Sequence, residues 1–445
     1  MRNATSILTF TLLAFLMPML SLQGQTRLSM DDCFLIAANQ NISVQQAENE
    51  IEIANIRKSS SKFALLPSLS YDLNHYFSFG KNIDPVTNSF AFEQFSGGEM
   101  GLRLRMNIFS GFKNLLAISE NVHRQRSAEY AKSAVFLEVC FQIVDLFSSY
   151  MIIQENVKAV SGNIETLNNE LEIIHEKIKI GRLTEYEAYA FEARLETEKA
   201  EMIRLNNESE IILQQLKELL NFQYDADVEL QEVNNTELQD IIFLPIRKEE
   251  VVLQVMNNHP IIGQFEEELK VSEMVLKSAN RAFYPSLRLG ASVLSNYSVN
   301  IGQPIPNETM VMEQVFNNLG QYVSVGLSIP IFTQMQNLNK VREEKIRLHN
   351  TKLDLDETRN SLVSNTLQLY NTFIANREKY QITSNALEKN ILSYELQEEK
   401  FRLGRISSVE LLTARDILNE SLSKFNQAKL SLYFSYQLLQ LIETL

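Results

Sequence analysis

The sequence predicts a mainly α-helical fold with a small β part, written twice in tandem, and three observations carry that prediction. Turn-forming residues are scarce: 14 Gly and 9 Pro in 445 residues, against about 12% for the pair in an average chain, so the elements must be long. A set of motifs recurs at offsets of 218 and 223 residues, the mark of an internal repeat. Each copy holds a stretch of period two followed by a far longer stretch of helical period.

Composition bounds the function before any motif is read. The chain has 41 Lys+Arg against 55 Asp+Glu, a formal net charge of −14, so it offers no global basic surface for phosphates and no nucleic-acid partner is expected. A mean hydropathy of −0.14 excludes a helical multi-span transporter. The 25 Phe and 15 Tyr are enough for the cores of two or three units of ordinary size.

At the N-terminus, Arg2 precedes an apolar run from Ile7 to Leu20 and a small polar stretch from Ser21 to Gln25. That is the layout of a secretory signal over residues 1–25, and the run is short for a spanning helix, which needs about 20 apolar residues. Cys33 and Cys140 are the only cysteines, so a disulfide framework is excluded; two buried, inert thiols are expected, a single bridge being the alternative.

The duplication is explicit. Ala64-Leu65-Leu66-Pro67-Ser68-Leu69 returns as Ala282-Phe283-Tyr284-Pro285-Ser286-Leu287, Ile108-Phe109 as Ile331-Phe332, and Ile180-Gly181-Arg182-Leu183 as Leu403-Gly404-Arg405-Ile406. The first repeat is placed at 26–230, the second at 247–445, and 221–246 is the segment between them. Strands are expected at about 67–79, 99–109, 285–298 and 322–332, and long helices at about 111–180, 184–220, 336–402 and 407–443.

In the first repeat, Val139, Ile143, Leu146, Tyr150, Ile153, Val157, Val160, Ile164, Leu167, Leu171, Ile174 and Ile178 alternate at spacings of four and three, a coiled-coil seam. A continuous helix from Phe112 to Ile180 would be about 100 Å long at ~1.5 Å per residue. The second repeat keeps Phe373, Tyr380, Leu387, Tyr394 and Phe401 every seven residues, but places Asn376, Thr383, Asn390 and Gln397 where the first has Ile153, Val160, Leu167 and Ile174. Polar residues along a seam suit a helix face that meets water and packs less firmly; register specification by buried amides is the alternative. Each rod stops at a Gly, Gly181 or Gly404, and restarts at Thr184-x-x-Glu187 or Ser407-x-x-Glu410, each a capping box.

The four strands alternate apolar and polar residues over about ten positions each. Leu69, Tyr71, Leu73, Phe77 and Phe79 oppose Ser68, Ser70, Asp72 and Asn74, and Met100, Leu102, Leu104 and Met106 oppose Gly101, Arg103 and Arg105. Leu287, Leu289 and Val293 oppose Ser286, Arg288 and Ser292, and Val323, Val325 and Leu327 oppose Ser324, Gly326 and Ser328. That length and alternation fit tilted membrane strands, apolar to lipid and polar to a lumen, with Arg103, Arg105 and Arg288 facing the lumen. Four strands cannot close a barrel, and open edges are not tolerated in lipid, so the wall must be shared between chains. A soluble two-hairpin sheet under a helix is the alternative that the alternation alone leaves open. Loops 80–98 and 299–321 would be the external ones.

Taken together, the signal, the duplication, the Pro-initiated hairpin, the Ile-Phe exit into a long helix and the Gly-bearing tip ahead of an acid resemble the TolC family of outer-membrane efflux proteins. The resemblance covers the mature chain. It implies a homotrimer with a shared 12-stranded β-barrel in the outer membrane of a Gram-negative bacterium, continued into the periplasm by a coiled-coil barrel of long helical hairpins. It implies export of small molecules or polypeptides within a tripartite efflux or type I secretion system, with a periplasmic adaptor (membrane fusion) protein and an inner-membrane pump of the RND or ABC type as partners, and outer-membrane lipid around the barrel.

By the same resemblance, Gly181, Arg182, Gly404 and Arg405 fall on the tip that meets the adaptor, and Glu410, Thr413 and Asp416 on the periplasmic gate. The polar seam of Asn376, Thr383, Asn390 and Gln397 belongs to the hairpin that gates. Glu410 can serve its capping box, a cation-attracting ring in the trimer, or both. A second acid often stands three residues after the first in the family; here that position is Thr413, with Asp416 a turn later, which departs from a double ring. A periplasmic coiled-coil spacer or adaptor is the rival reading.

No HExxH, CxxC, GxSxG, P-loop or GxGxxG occurs, and the five His are scattered without ligand spacing. No catalytic residue, cofactor or metal site is therefore expected.

Overall fold

A computed structural model describes residues 26–83, 90–232, 241–301 and 308–444. The signal-like segment and parts of both expected external loops, with Asp84, Pro85, Pro304 and Pro306, lie outside the described residues. The chain divides into two compact units, the first made of Met1–Ile42, Glu138–Pro245 and Leu369–Leu441, the second of Ser43–Leu137, Ile246–Gln368 and Ile442–Leu445. Two helices of 67 residues, α3 (Lys113–Lys179) and α8 (Gln336–Arg402), contribute to both.

The first unit opens with β1 (Thr26–Leu28), paired in parallel with β4 (Val228–Leu230) of the segment between repeats. An Arg27–Glu229 ion pair at 2.8 Å joins the two strands. Helix α1 (Met30–Gln40) starts on a capping box between Ser29 and Asp32. Asn41 beyond it donates its Nδ2 to the Leu219 carbonyl at 2.8 Å, covering one of the open carbonyls at the end of α4 (Glu185–Leu219).

Most of this unit is two antiparallel hairpins: α3 with α4, and α8 with α9 (Ser408–Thr444). The first hairpin's seam is filled as its periodicity predicts, with Leu167, Ile174, Ala188, Phe191 and Leu195 buried together and Ile164, Leu171 and Ile178 packed against them. Helix α9 joins the hairpins: its Phe434 ring meets Phe147 of α3, while Tyr436 meets Phe373 of α8. Cys33 and Cys140 are buried and free, and burial pushes both thiols up to about 12, so neither is a nucleophile at neutral pH.

In the second unit, α2 (Ile42–Phe63), the first part of α3, α6 (Pro260–Asn280) and the first part of α8 lie side by side. Helix α5 (Lys248–Asn258) leads into α6 through His259, with Pro260 at the first helical position, where its missing N–H costs nothing. Lys132 of α3 pairs with Glu48 of α2. His123 of α3 meets Glu267 of α6 at 2.6 Å, and Arg359 of α8 meets Glu266 at 2.9 Å. Gly263 allows the close approach of α3 to α6, since a Cβ there would lie 2.7 Å from the Tyr130 ring.

The same unit carries a four-stranded antiparallel sheet in the order β2-β3-β5-β6, from β2 (Ser68–Ile83), β3 (Phe90–Ser110), β5 (Ser286–Asn300) and β6 (Gly320–Ser328). Two corrections to the sequence reading follow. The last strand, expected to run to residue 332, ends at Ser328, because Pro330 has no N–H to give the ladder. Ile331 and Phe332 therefore stand exposed beyond it, whereas their counterparts Ile108 and Phe109 lie inside β3. The expected first outer loop is also much shorter, because pairing continues from Asn74↔Glu99 up to Ile83↔Phe90.

The exits from the sheet into α3 and α8 are built alike. Gly111 and Phe112 have φ of 64° and 66°, and Gln334 and Met335, at the same 223-residue offset, have 51° and 64°. Both repeats thus turn through a left-handed pair, which only the first eases with a glycine.

Candidate functional site

Three surfaces follow from this architecture: the two faces of the sheet, the hairpin tips, and the packing between the second hairpin and the first. On the sheet, register settles which side chains share a face. Arg105 stands between Ser68 on one side and Gly290 on the other, Arg103 between Ser70 and Ser292, and Asn107 opposite Arg288. Arg103, Arg105 and Arg288 therefore lie on one face with the serines. Arg103 is held there by Glu99 at 2.5 Å and Asp72 at 3.4 Å.

The other face carries Leu69, Tyr71, Leu73, Leu102, Val293, Val323, Val325 and Leu327, all exposed. An apolar face of this extent is what lipid would cover and water would not. A polar break in it is His75, which meets Tyr297 Oη at 2.8 Å and Ser96 Oγ at 3.1 Å. That contact needs Gly98 between the two strands, because the Tyr297 ring lies over it with no room for a Cβ.

Both tips end as their glycines require. At Gly181, with φ 72°, the Arg182 N–H returns to the Lys177 carbonyl at 2.9 Å and the Gly181 N–H to Ile178 at 2.8 Å. At Gly404, with φ 70°, Arg405 returns to Lys400 at 2.9 Å and Gly404 to Phe401 at 3.0 Å. These are two Schellman motifs of one design, and they leave Arg182 and Arg405 exposed beside the exposed Ile180 and Leu403.

Both capping boxes form. The Glu187 carboxylate accepts from the Thr184 N–H at 2.8 Å and from its hydroxyl, and Glu410 accepts from the Ser407 N–H at 2.8 Å and hydroxyl at 3.0 Å. Hydrogen bonds from Thr184, side chain first, hold Glu187 below the usual carboxylate range, and those from Ser407, backbone first, do the same for Glu410. Glu410 is thus an exposed, ionised carboxylate.

Thr413 donates its hydroxyl to the Val409 carbonyl of its own helix at 2.9 Å, and Asp416 accepts from Arg194 of α4 at 2.9 Å. All four polar seam residues of α8 are half-buried. Asn376 donates to the Ser431 carbonyl of α9 at 3.1 Å, and Thr383 bonds back to Lys379 of its own helix at 2.8 Å.

Near the tips the two hairpins differ in apolar mass. The buried Leu167, Ile174 and Phe191 of the first correspond, at the 223-residue offset, to Asn390, Gln397 and Ala414 of the second.

The sequence reading missed the contacts that hold the hairpins together near their tips. Arg415 of α9 reaches Glu170 of α3 at 2.5 Å, with side chains 10% and 21% exposed. Burial pushes Glu170 above the usual carboxylate range, and the opposing attraction of Arg415 does not fully offset it. Arg194 joins Asp416 to the buried Glu198 at 3.0 Å, and Lys177 lies 4.5 Å over the Phe401 ring. One signal was in the sequence: Arg415 falls four residues after Leu411, on the apolar stripe of its helix, where a charge demands a partner.

Comparison with known proteins agrees with this geometry. Residues 251–442 match the family model described as outer membrane efflux protein. Among curated proteins none matches the chain in sequence. The fold matches the Campylobacter jejuni CmeC outer membrane channel at 18% identity, TM-score 0.76, covering 93% of this chain and 85% of that one. It matches the outer membrane protein VceC from Vibrio cholerae at 13% identity, TM-score 0.75, with 93% and 96% covered. The open state of the Neisseria gonorrhoeae MtrE outer membrane channel aligns at 17% identity, TM-score 0.69, with 93% and 88% covered. The second repeat thus matches the outer membrane efflux protein domain, and the whole chain has the fold of the TolC-like outer-membrane channels.

Proposed function

We propose that the protein is the outer-membrane channel of a tripartite efflux or type I secretion system, carrying small molecules or polypeptides from periplasm to exterior without chemistry of its own. The observation that carries this reading is the sheet. Its apolar face is exposed, its opposite face bears Arg103, Arg105 and Arg288, and β2 and β6 are the outermost strands among the described residues. Such a sheet is unstable in water and in lipid unless copies close it. Three copies would give a 12-stranded barrel, four strands from each.

The hairpins supply the periplasmic part. The exposed tips around Gly181, Arg182, Gly404 and Arg405 are the surface for an adaptor protein, which an RND or ABC pump in the inner membrane would load. The second hairpin, with Asn390, Gln397 and Ala414 in place of aliphatic and aromatic bulk, is the one free to move. Its Glu410, Thr413 and Asp416 would stand at the narrow end.

The test is assembly and conductance. Outer-membrane fractions should yield a heat-modifiable, SDS-resistant trimer that forms discrete ion-conducting events in planar bilayers. A chain that stays soluble without detergent, or trimers that never conduct, would leave the rival reading of a periplasmic spacer.

A further inference from the structure

The strands of the sheet are unequal, and the inequality singles out one helix. Strand β6 has nine residues, while β2, β3 and β5 have 16, 21 and 15. Pairing of β6 with β5 ends at Gly320↔Leu294, and β5 runs on to Asn300 with no strand among the described residues on that edge. A short helix, α7 (Glu308–Asn317), takes the place. Ser298 N–H donates to Gln314 Oε1 at 3.0 Å, Asn318 Nδ2 donates to the Asn296 carbonyl at 2.9 Å, and Ser295 Oγ donates to the Val315 carbonyl at 2.5 Å. Side chains of the α7 segment thus satisfy the backbone groups that a longer β6 would have paired, and Ser295 and Ser298 are buried beneath it. Helix α7 continues the line of β6.

That placement decides what lies on its far side. In a closed barrel the next element after β6 is β2 of a neighbouring copy, and nine residues cannot cover sixteen. Where β2 outruns β6 toward the outside, it runs beside α7. There α7 presents Met312 and Phe316, one turn apart and 58% and 71% exposed, with Leu319 just beyond the helix also exposed. The outer half of β2 presents Phe77, Phe79 and Ile83, exposed as well. Resting on the shared-barrel reading above, we propose that α7 is part of the subunit seam. Its Met312–Phe316–Leu319 face packs on the outer half of β2 in the next copy, so that the outer rim is sealed helix on strand and the seam below it strand on strand.

Cysteine pairs in the full-length protein, cross-linked with a short bismaleimide in intact outer membranes and then denatured, separate the two layers. The buried Cys33 and Cys140 are inert background. Phe316→Cys is combined in turn with Phe77→Cys, Phe79→Cys and Ile83→Cys; Val325→Cys on β6 is combined with Tyr71→Cys and Leu73→Cys. A link within one chain leaves a monomer, and β3 and β5 intervene between α7 and β2 of the same chain, about 14 Å at the spacing of neighbouring strands.

Covalent trimer from a β6–β2 pair and from at least one α7–β2 pair is the expected result. Trimer from β6–β2 with only monomer from all three α7 pairs would overturn the seam while leaving the barrel intact. Monomer throughout would overturn both. In a second readout, Met312→Asp with Phe316→Asp should lower the yield of SDS-resistant trimer about tenfold or more; an undiminished yield would count against the seam.

Discussion

Among the described residues two ion pairs tie the second hairpin to the first, and their burial says which one can act as a latch. Asp416 and Arg194 are 41% and 35% exposed, and a pair in that setting is worth about 0.2–1 kcal/mol, reduced further by salt. Arg415 and Glu170 are 10% and 21% exposed. Removing one partner of a buried pair costs about 3–5 kcal/mol, because the other is left charged and dry. Glu170 keeps some contact with water and can escape by taking up a proton, so about 3 kcal/mol is the appropriate end of that range for Arg415→Met.

Applied to a closed–open equilibrium, 3 kcal/mol is roughly a 150-fold shift toward open, against at most about fivefold for Asp416→Asn. Single-channel recording of purified trimers at pH 7.5, scored as open probability, reads both. An Arg415→Met channel that is as closed as the parent, or an Asp416→Asn channel more open than Arg415→Met, refutes the assignment.

The pH dependence is a second check. Burial, opposed by Arg415, sets the Glu170 carboxyl above 4.5 in the fold. A raised folded value means that this group's contribution is fully present below 4.5 and is lost as pH rises through the folded value. Without Arg415 that value rises further, so the Arg415→Met defect should be largest at neutral pH and fade as pH falls toward 4.5.

The remaining predictions concern the tips and the sheet. Gly404→Ala meets no neighbour within 4 Å but must hold φ 70°, so it should cost about 1–2 kcal/mol of local stability, read as faster amide exchange over Phe401–Ser408 with trimer yield unchanged; unaltered exchange would remove the strained turn. Ser407→Ala, which removes the hydroxyl half of the capping box, should free about 1 kcal/mol of fraying at the start of α9 by the same measurement. Glu410→Ala should reduce cation preference or block by divalent ions in bilayers, and unchanged selectivity would confine Glu410 to its cap. Val325→Lys, on the apolar face, should cost about 2–4 kcal/mol at mid-bilayer and abolish SDS-resistant trimer, while Ser324→Lys on the other face should assemble normally; equal assembly of the two would refute the lipid-facing assignment.

What the sequence made legible and what it hid divide along one physical line. Features enforced by a single chain's own period were readable: the α3 seam, the left-handed glycines 181 and 404 and both capping boxes stand where spacing put them. These depend on interactions three to seven residues apart, which periodicity reports directly. Features that depend on what lies opposite were not readable. The extension of β2 and β3 through Gly97 and Gly98 is set by cross-strand pairing, and those residues read locally as a loop. Gln314 and Asn318 look like ordinary polar residues of an outer segment until they are seen to bond the β5 backbone beyond the end of its β6 pairing.

The seam of α8 is the instructive middle case. Its polar residues were found by comparing repeats, but half-burial of Asn376 against Ser431 is a property of the hairpin. Water on that face and firm packing on it are therefore not the only choices. An amide bonded to a helix carbonyl can hold register when the hairpin is closed and be rehydrated at small cost when it opens, which an Ile at the same place cannot do. Replacing Asn376, Thr383, Asn390 and Gln397 by the first repeat's Ile, Val, Leu and Ile distinguishes the two roles. Loss of transport with trimers preserved is expected if the amides serve opening, whereas weakened trimers with transport scaling to the remainder would mean that they serve register alone.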